Sequence, residues 1–255
     1  MWTIRQEQTD AFRQYHLQKF EDEMVEHLKK FYPQQWKAMG EPDGRRVIRL
    51  GIEQAERYGL TNRGPVRFYI ELMLMFGSYF DTDLQHPWAT AVLKDAEAVD
   101  QVVRADRLFA AMNMYLDQVV EPERKHLIEV LQGLTQARIE DYLAPAVNRE
   151  EAFLQGVLSA CPLRSQYLGE PVLRRLIRHA VELARHFGFN SDKGTALMFV
   201  LTFVGGHGFY KDPQYGWIAR GLDRERCPDA GKRIQELSSK SALYLGHVLA
   251  GVNKE

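Results

Sequence analysis

Asp83 and Asp212 are the residues whose types and spacing first suggest chemistry, because each sits in the same twelve-residue pattern. The pattern is Gly-x-x-Phe-x-x-Asp-x-Gln-x-x-Trp. It reads Gly77, Phe80, Asp83, Gln85, Trp88 in its first occurrence and Gly206, Phe209, Asp212, Gln214, Trp217 in its second. Two carboxylates brought together could serve as a general acid and base. A structural account is equally complete. Glycine at a helix end permits positive φ. The Phe and Trp plug the gap where the chain turns, the indole N–H bonding a carbonyl. The Asp accepts bonds from loop N–H groups. Two copies of a scaffold need the same corner twice, whereas catalytic residues rarely need duplication, so these ten residues are expected to be structural. His207, Tyr210 and Tyr215 have no match in the first copy, which carries Ser78, Asp81 and His86. They are the candidate partner-binding residues.

Other constellations are weaker. His179, Glu182 and His186 gather three possible metal ligands on one helical face. Dimetal bundles use inward Glu-x-x-His motifs with carboxylates from neighbouring helices. Here the order is reversed, the face is polar, and Leu50 and Arg57 stand at the histidine positions of the first copy. A solvated face is expected, with no metal and no cofactor. Gly205-Gly206-His207-Gly208 lacks the Lys-Ser/Thr of a phosphate loop and follows no strand. It reads as a helix end with unusual backbone angles. No G-x-S-x-G elbow, Cys-His arrangement or H-E-x-x-H motif is present, so no catalytic residue is assigned. Cys161 and Cys227 are too few for a disulfide framework and match no zinc spacing.

The elements that must position these residues also recur. Residues Arg45 to Leu93 and Arg174 to Leu222 align without a gap at one offset (Gly206 on Gly77, 206 − 77 = 129). The register sets Arg174, Arg175, Ile177, Arg178, Glu182, Ala184 and Gly188 on Arg45, Arg46, Ile48, Arg49, Glu53, Ala55 and Gly59. It extends upstream, with Gly169-Glu170-Pro171 on Gly40-Glu41-Pro42 and Pro162 on Pro33. The expected fold is all-α, two tandem pseudo-symmetric helical repeats, residues 1–120 and 121–255, parted at Glu121-Pro122.

Within each repeat the periodicities predict the helices. Thr3 to Tyr32 sets Ile4, Phe12, Tyr15, Phe20, Met24, Leu28 and Phe31 at helical spacings, stopped by Pro33. A second helix runs from Gly40-Glu41-Pro42 to Tyr58, closed by Gly59. Thr61 or Asn62 caps a third, with Pro65 in its first turn. This third helix, VRFYIELMLMF, and its counterpart TALMFVLTFV are apolar nearly all round. At roughly 10–12 residues they are too short for the ~20 that cross a bilayer, so they are core helices. A short and a longer helix follow, the latter with Val99, Val102, Leu108, Met112 and Tyr115 inward. The second half enters through ERKHLIEVLQGLTQARIEDYL, breaks at Ala144-Pro145, restarts at Asn148, and closes with a helix from about Asp229 to Leu249.

The repeated arginines call for a partner. Arg49 and Glu53, like Arg178 and Glu182, are four apart, but such pairs contribute only roughly 0.2–0.5 kcal/mol, and the Arg-first order is the weaker. One repeated Arg (Arg45, Arg46 or Arg49, and its counterpart) is therefore expected to reach the repeated Asp in a bidentate pair.

The chain of 255 residues has a formal net charge of −1, with no global field to draw nucleic acid or an anionic membrane. The first residues, MWTIRQEQTDAF, hold no apolar signal-peptide core. A cytoplasmic location is expected, without membrane insertion or nucleic-acid binding.

TIRQEQ, MVEHLKKFYP, GIEQAERYGLTN, YIELMLMFGSYFDTD and HPWA together resemble a group of small bacterial proteins encoded in type VI secretion clusters, beside spike proteins and effector adaptors. The resemblance covers roughly residues 3–93, is most specific from Gly51 to Ala89, and loosens in the second half. It implies a non-enzymatic accessory role: an adaptor or co-chaperone helping to load an effector, with an effector, effector adaptor, chaperone or spike protein as partner. It carries over no catalytic residue. The alternative is a helical enzyme or effector, metal-dependent or not, with its site between the repeats.

Overall fold

Proline and glycine punctuate the chain. Pro33, Pro42, Pro87, Pro162 and Pro171 each lie in the first turn of a helix, where a missing N–H costs no intrahelical bond. The computed structural model describes residues 6–97, 100–119 and 149–252. Among the described residues there are α-helices and short 3-10 turns but no strand. The helices are α1 (Gln6–Phe31), α2 (Pro33–Met39), α3 (Glu41–Arg57), α4 (Arg63–Phe76), α5 (Pro87–Leu93) and α6 (Gln101–Val119). There follow α7 (Arg149–Ala160), α8 (Pro162–Leu168), α9 (Glu170–His186), α10 (Asp192–Gly205), α11 (Gly216–Leu222) and α12 (Ala230–Val252). The bounds of α8 to α11 each lie 129 residues beyond those of α2 to α5. Among the described residues no helix is long and apolar enough to cross a membrane.

Two hydrophobic cores form, one from residues 24–115 and one from residues 153–237. In the first, α3 buries Val47, Ile48 and Ala55 against Tyr69, Ile70 and Met73 of α4. In the second, α9 buries Leu173, Ile177, Ala180 and Ala184 against Leu197, Met198 and Leu201 of α10. Full burial of one such large side chain is worth about 1.5–3 kcal/mol before conformational entropy is set against it. The opposite face of α9, with Arg175, Arg178, Glu182 and His186, is exposed.

The cores touch at several places. α6 packs on α8, where the Tyr115 and Tyr167 rings meet at 5.0 Å, and α12 packs on α2. The 3-10 turn Pro213–Tyr215 packs on α2 and α3.

Several expectations are corrected. In α1 the inward face is Met24, Val25 and Leu28; Phe12, Tyr15 and Phe31 stand exposed. The apolar stripe of that helix outruns the surface available to cover it. Val102 of α6 is exposed rather than inward, because Leu108, Met112 and Tyr115 set the buried face on the other side of the helix. Asn62 occupies the cap position of α4 but makes no side-chain cap bond. Instead Gln101 Oε1 accepts from the N–H groups of Thr61 and Asn62, each at 2.7 Å. The helix read at ERKHLIEVLQGLTQARIEDYL, the breaks at Glu121-Pro122 and Ala144-Pro145, and Val99 lie outside the described residues.

Candidate functional site

The two Gly-to-Trp turns lie against each other. Gly77 and Gly206 end α4 and α10 with φ of 93° and 85°, a region that side chains resist. They also lie close against the facing turn. A Cβ on Gly77 would sit 2.7 Å from the Gly205 carbonyl oxygen, and one on Gly206 would meet Asp83 Oδ2 at 3.0 Å. Each aspartate accepts from its own turn and from the other one. Asp83 takes Gln85 N–H at 2.9 Å and His207 N–H at 2.7 Å. Asp212 takes Gln214 N–H at 2.9 Å and Ser78 N–H at 2.7 Å, with the Ser78 hydroxyl at 2.7 Å besides. The glutamines cross as well. Gln85 Nε2 donates to the Thr202 carbonyl at 3.1 Å and Gln214 Nε2 to the Met73 carbonyl at 2.7 Å. All four side chains are buried, and each aspartate is 2% exposed.

A buried carboxylate is tolerated because these donors replace its water. The two aspartates differ in what else faces them. Burial works against charge on Asp83, but the adjacent His207 ring and the Gln85 N–H outweigh it and hold the carboxyl well below its ordinary range. His207 Nδ1 is 3.3 Å from Asp83 Oδ2, an electrostatic contact off the line of a hydrogen bond. At Asp212 burial prevails over the Ser78 and Gln214 bonds, and the pKa is raised. Burial, reinforced by the Arg164 charge, pushes His86 down to about 3, so this imidazole is neutral.

The expected Arg–Asp pair does not form: among the described residues no arginine lies within ion-pair distance of Asp83 or Asp212. The arginines tie α3 and α9 to the helices before them instead. Arg45 pairs with Glu21 (2.9 Å), Asp22 (2.8 Å) and Glu41 (3.0 Å). Arg174 pairs with Glu150 (3.2 Å), Glu151 (2.8 Å) and Glu170 (2.7 Å). The turns are already satisfied by backbone N–H groups, which come at no side-chain entropy cost. Both tryptophans also depart from expectation, since the indole N–H groups of Trp88 and Trp217 are buried without a hydrogen-bond partner. Phe80 and Phe209 are wholly buried, as read.

Of the candidate binding trio, His207 opens on a cleft. This cleft of about 340 Å3 is lined by Thr82, Leu84, Arg175, Leu176, Arg178, His179, Glu182 and His207. His207 Nε2 lies 3.5 Å from the Thr82 hydroxyl, and His179 Nε2 donates to the His207 carbonyl at 3.2 Å. Tyr215 lines a different, apolar cavity of about 30 Å3 with Trp217 and Tyr244, and Tyr210 packs near Phe187. His179 and Glu182 share the cleft wall without His186. Among the described residues no three His, Cys, Asp or Glu side chains gather as a metal site.

Sequence reasoning missed Ser78, the second acceptor contact of each aspartate across the junction, and two helix-end locks. Arg104 donates to the Tyr58 carbonyl, and the buried Arg233 to the carbonyls of Phe187 (3.1 Å) and Leu222 (2.9 Å). Carrying the 129-residue register past Leu222 would have set Arg233 on Arg104. Comparison with family models, with curated proteins and with solved structures returned no match to this chain.

Proposed function

We propose that this chain is a non-enzymatic binding scaffold for a protein partner, built as two tandem pseudo-symmetric repeats, residues 1–120 and 121–255. The observation that carries this reading is the set of large apolar side chains left in solvent on α1 and α6. Phe12, Tyr15 and Phe31 are 58–68% exposed, and Phe109 and Met114 are 54% and 64% exposed, beside Val102 and Val103. Exposed apolar patches mark protein-contact surfaces, and α6 alone presents Val102, Val103, Phe109 and Met114. The two-repeat reading rests on the matched helix bounds and on the reciprocal bonds of Asp83 and Asp212 across the junction. The resemblance to proteins of type VI secretion clusters makes the role that of a cytoplasmic adaptor or co-chaperone in effector loading, with an effector, effector adaptor or spike protein as partner and no nucleic acid.

The test is a pull-down of the tagged chain from its host, alongside Phe109→Asp and Met114→Asp variants. Stoichiometric recovery of such a partner, lost in the variants, is expected. A chain that comes down alone, or variants that retain the partner, would sink the reading. A second reading, an enzyme working between the repeats, is favoured by the buried Asp83 behind His207 at the cleft. Hydrolysis of activated esters abolished by His207→Ala would support it over the first.

A further inference from the structure

We propose that the cleft between Thr82 of the first turn and α9 binds a small oxyanion, of the phosphate or carboxylate type, on Arg175 and Arg178. The same two positions 129 residues earlier hold Arg46 and Arg49. There the guanidinium groups are neutralised: Arg46 pairs with Asp43 at 2.9 Å and Arg49 with Glu21 at 2.9 Å. Glu53 is taken by Arg57 at 2.5 Å.

In the second half the two acids that neutralise Arg46 and Arg49 are missing or engaged. Val172 stands where Asp43 would be, so Arg175 has lost its partner three residues upstream. Glu150, in register with Glu21, pairs with Arg174 instead. Among the described residues neither Arg175 nor Arg178 is within ion-pair distance of a carboxylate; Arg178 Nε donates to the Arg174 carbonyl at 3.3 Å. Both line a cleft of about 340 Å3, within the range of small-molecule sites. Planar guanidinium groups match the paired oxygens of phosphate or carboxylate.

The other walls define the remainder of the ligand. The Thr82 hydroxyl, which donates to the Tyr79 carbonyl at 3.3 Å, presents its oxygen as an acceptor, and Leu84 and Leu176 supply apolar surface. Asp83 lies behind His207 and is occupied by backbone N–H groups, so its charge is not presented to the cleft. Glu182 is the one carboxylate on the lining. It repels a bare anion and accepts from a hydroxyl, so a hydroxylated organic anion fits better than an inorganic one. This cleft is separate from the apolar surfaces of α1 and α6 and does not depend on them.

The test is isothermal titration of the full chain with inorganic phosphate, glycerol 3-phosphate and citrate, with the ring C–H signals of His179 and His207 followed by NMR to locate the site. Saturable binding that shifts both histidines is expected, with Arg175→Ala and Arg178→Ala each weakening it about tenfold or more. Both arginines are exposed, so the variants are expected to keep the wild-type circular dichroism and Tm. Arg46→Ala, at the neutralised position, leaves binding unchanged. Val172→Asp restores the acid that the first half has and weakens binding as Arg175→Ala does. Preference for glycerol 3-phosphate assigns the phosphate type, and preference for citrate the carboxylate type. Absence of saturable binding by all three probes, or equal losses in Arg46→Ala and Arg175→Ala, overturns the proposal.

Discussion

The turn Gly77–Trp88 and the turn Gly206–Trp217 share five residue types and the same hydrogen-bond plan, yet they give different residues to the one cleft they both line, Thr82 and Leu84 from the first and His207 from the second. The difference comes from residues between the shared ones. His207 stands in register with Ser78. Ser78 is small enough to be buried and to give both N–H and hydroxyl to Asp212. His207 gives Asp83 its N–H, while its larger ring spans from Asp83, with Nδ1 at 3.3 Å, to the cleft, where Nε2 lies 3.5 Å from the Thr82 hydroxyl. Gly208 makes room for the Tyr79 ring on the same side. The shared residues therefore hold the junction, and the unshared ones decide what faces outward.

The comparison breaks most severely at the aspartates. Asp83→Ala or Asp212→Ala strands several buried donors, and each is expected to cost about 3 kcal/mol or more in urea melts. If the variants cost less than a surface substitution, the junction is not what joins the halves. The glycines come next. Gly77→Ala and Gly206→Ala force a side chain into a region worth about 1–3 kcal/mol of strain and against the facing turn. Thermal melts should rank Gly77→Ala the worse, because its Cβ would meet a backbone carbonyl rather than a side-chain oxygen. Gln85→Ala and Gln214→Ala each remove the donor to one buried carbonyl across the junction, for about 1–2 kcal/mol, measurable as a shift in urea midpoint.

The smallest effect sharpens the contrast between the carboxyls through pH. Asp83 is held below its ordinary pKa, so it contributes stability that is fully present above that ordinary value and lost only as pH falls below it. Asp212 is raised, so its charged form is penalised at neutral pH and relief comes as pH falls through its folded pKa. Asp83→Asn should therefore cost more than Asp212→Asn at pH 7, with the gap narrowing in acid. Urea midpoints of both variants at pH 7 and pH 4 check this, and a gap that widens in acid contradicts it.

Much of the architecture was legible in the chain because it is written in local terms. Pro33, Pro162 and the glycines at 59, 77, 188 and 206 mark helix ends whatever surrounds them, and the spacing of Val47, Ile48 and Ala55 selects the buried face of α3. The candidate site was legible in part. The bonds from the Gln85 and Gln214 N–H groups to Asp83 and Asp212 could be argued from a turn alone. The aspartates' partners across the junction could not: a carboxylate in a turn looks equally ready for an arginine, and only the packing of α4 against the far turn brought backbone N–H groups within reach first. The repeated arginines were expected at the aspartates for the same reason: Glu21 and Glu150, which take Arg45 and Arg174, lie 24 residues before them on other helices.

By itself, then, the sequence determined the helices, their ends and the recurrence at 129 residues, all set by short-range sterics and periodicity. The tertiary structure decided which donors reach which buried oxygen, which apolar residues of α1 and α6 stay uncovered, and that His207, Thr82 and α9 share a cleft. Those outcomes depend on the relative placement of segments more than a hundred residues apart, as Asp83 and His207 are, and no local rule encodes that placement.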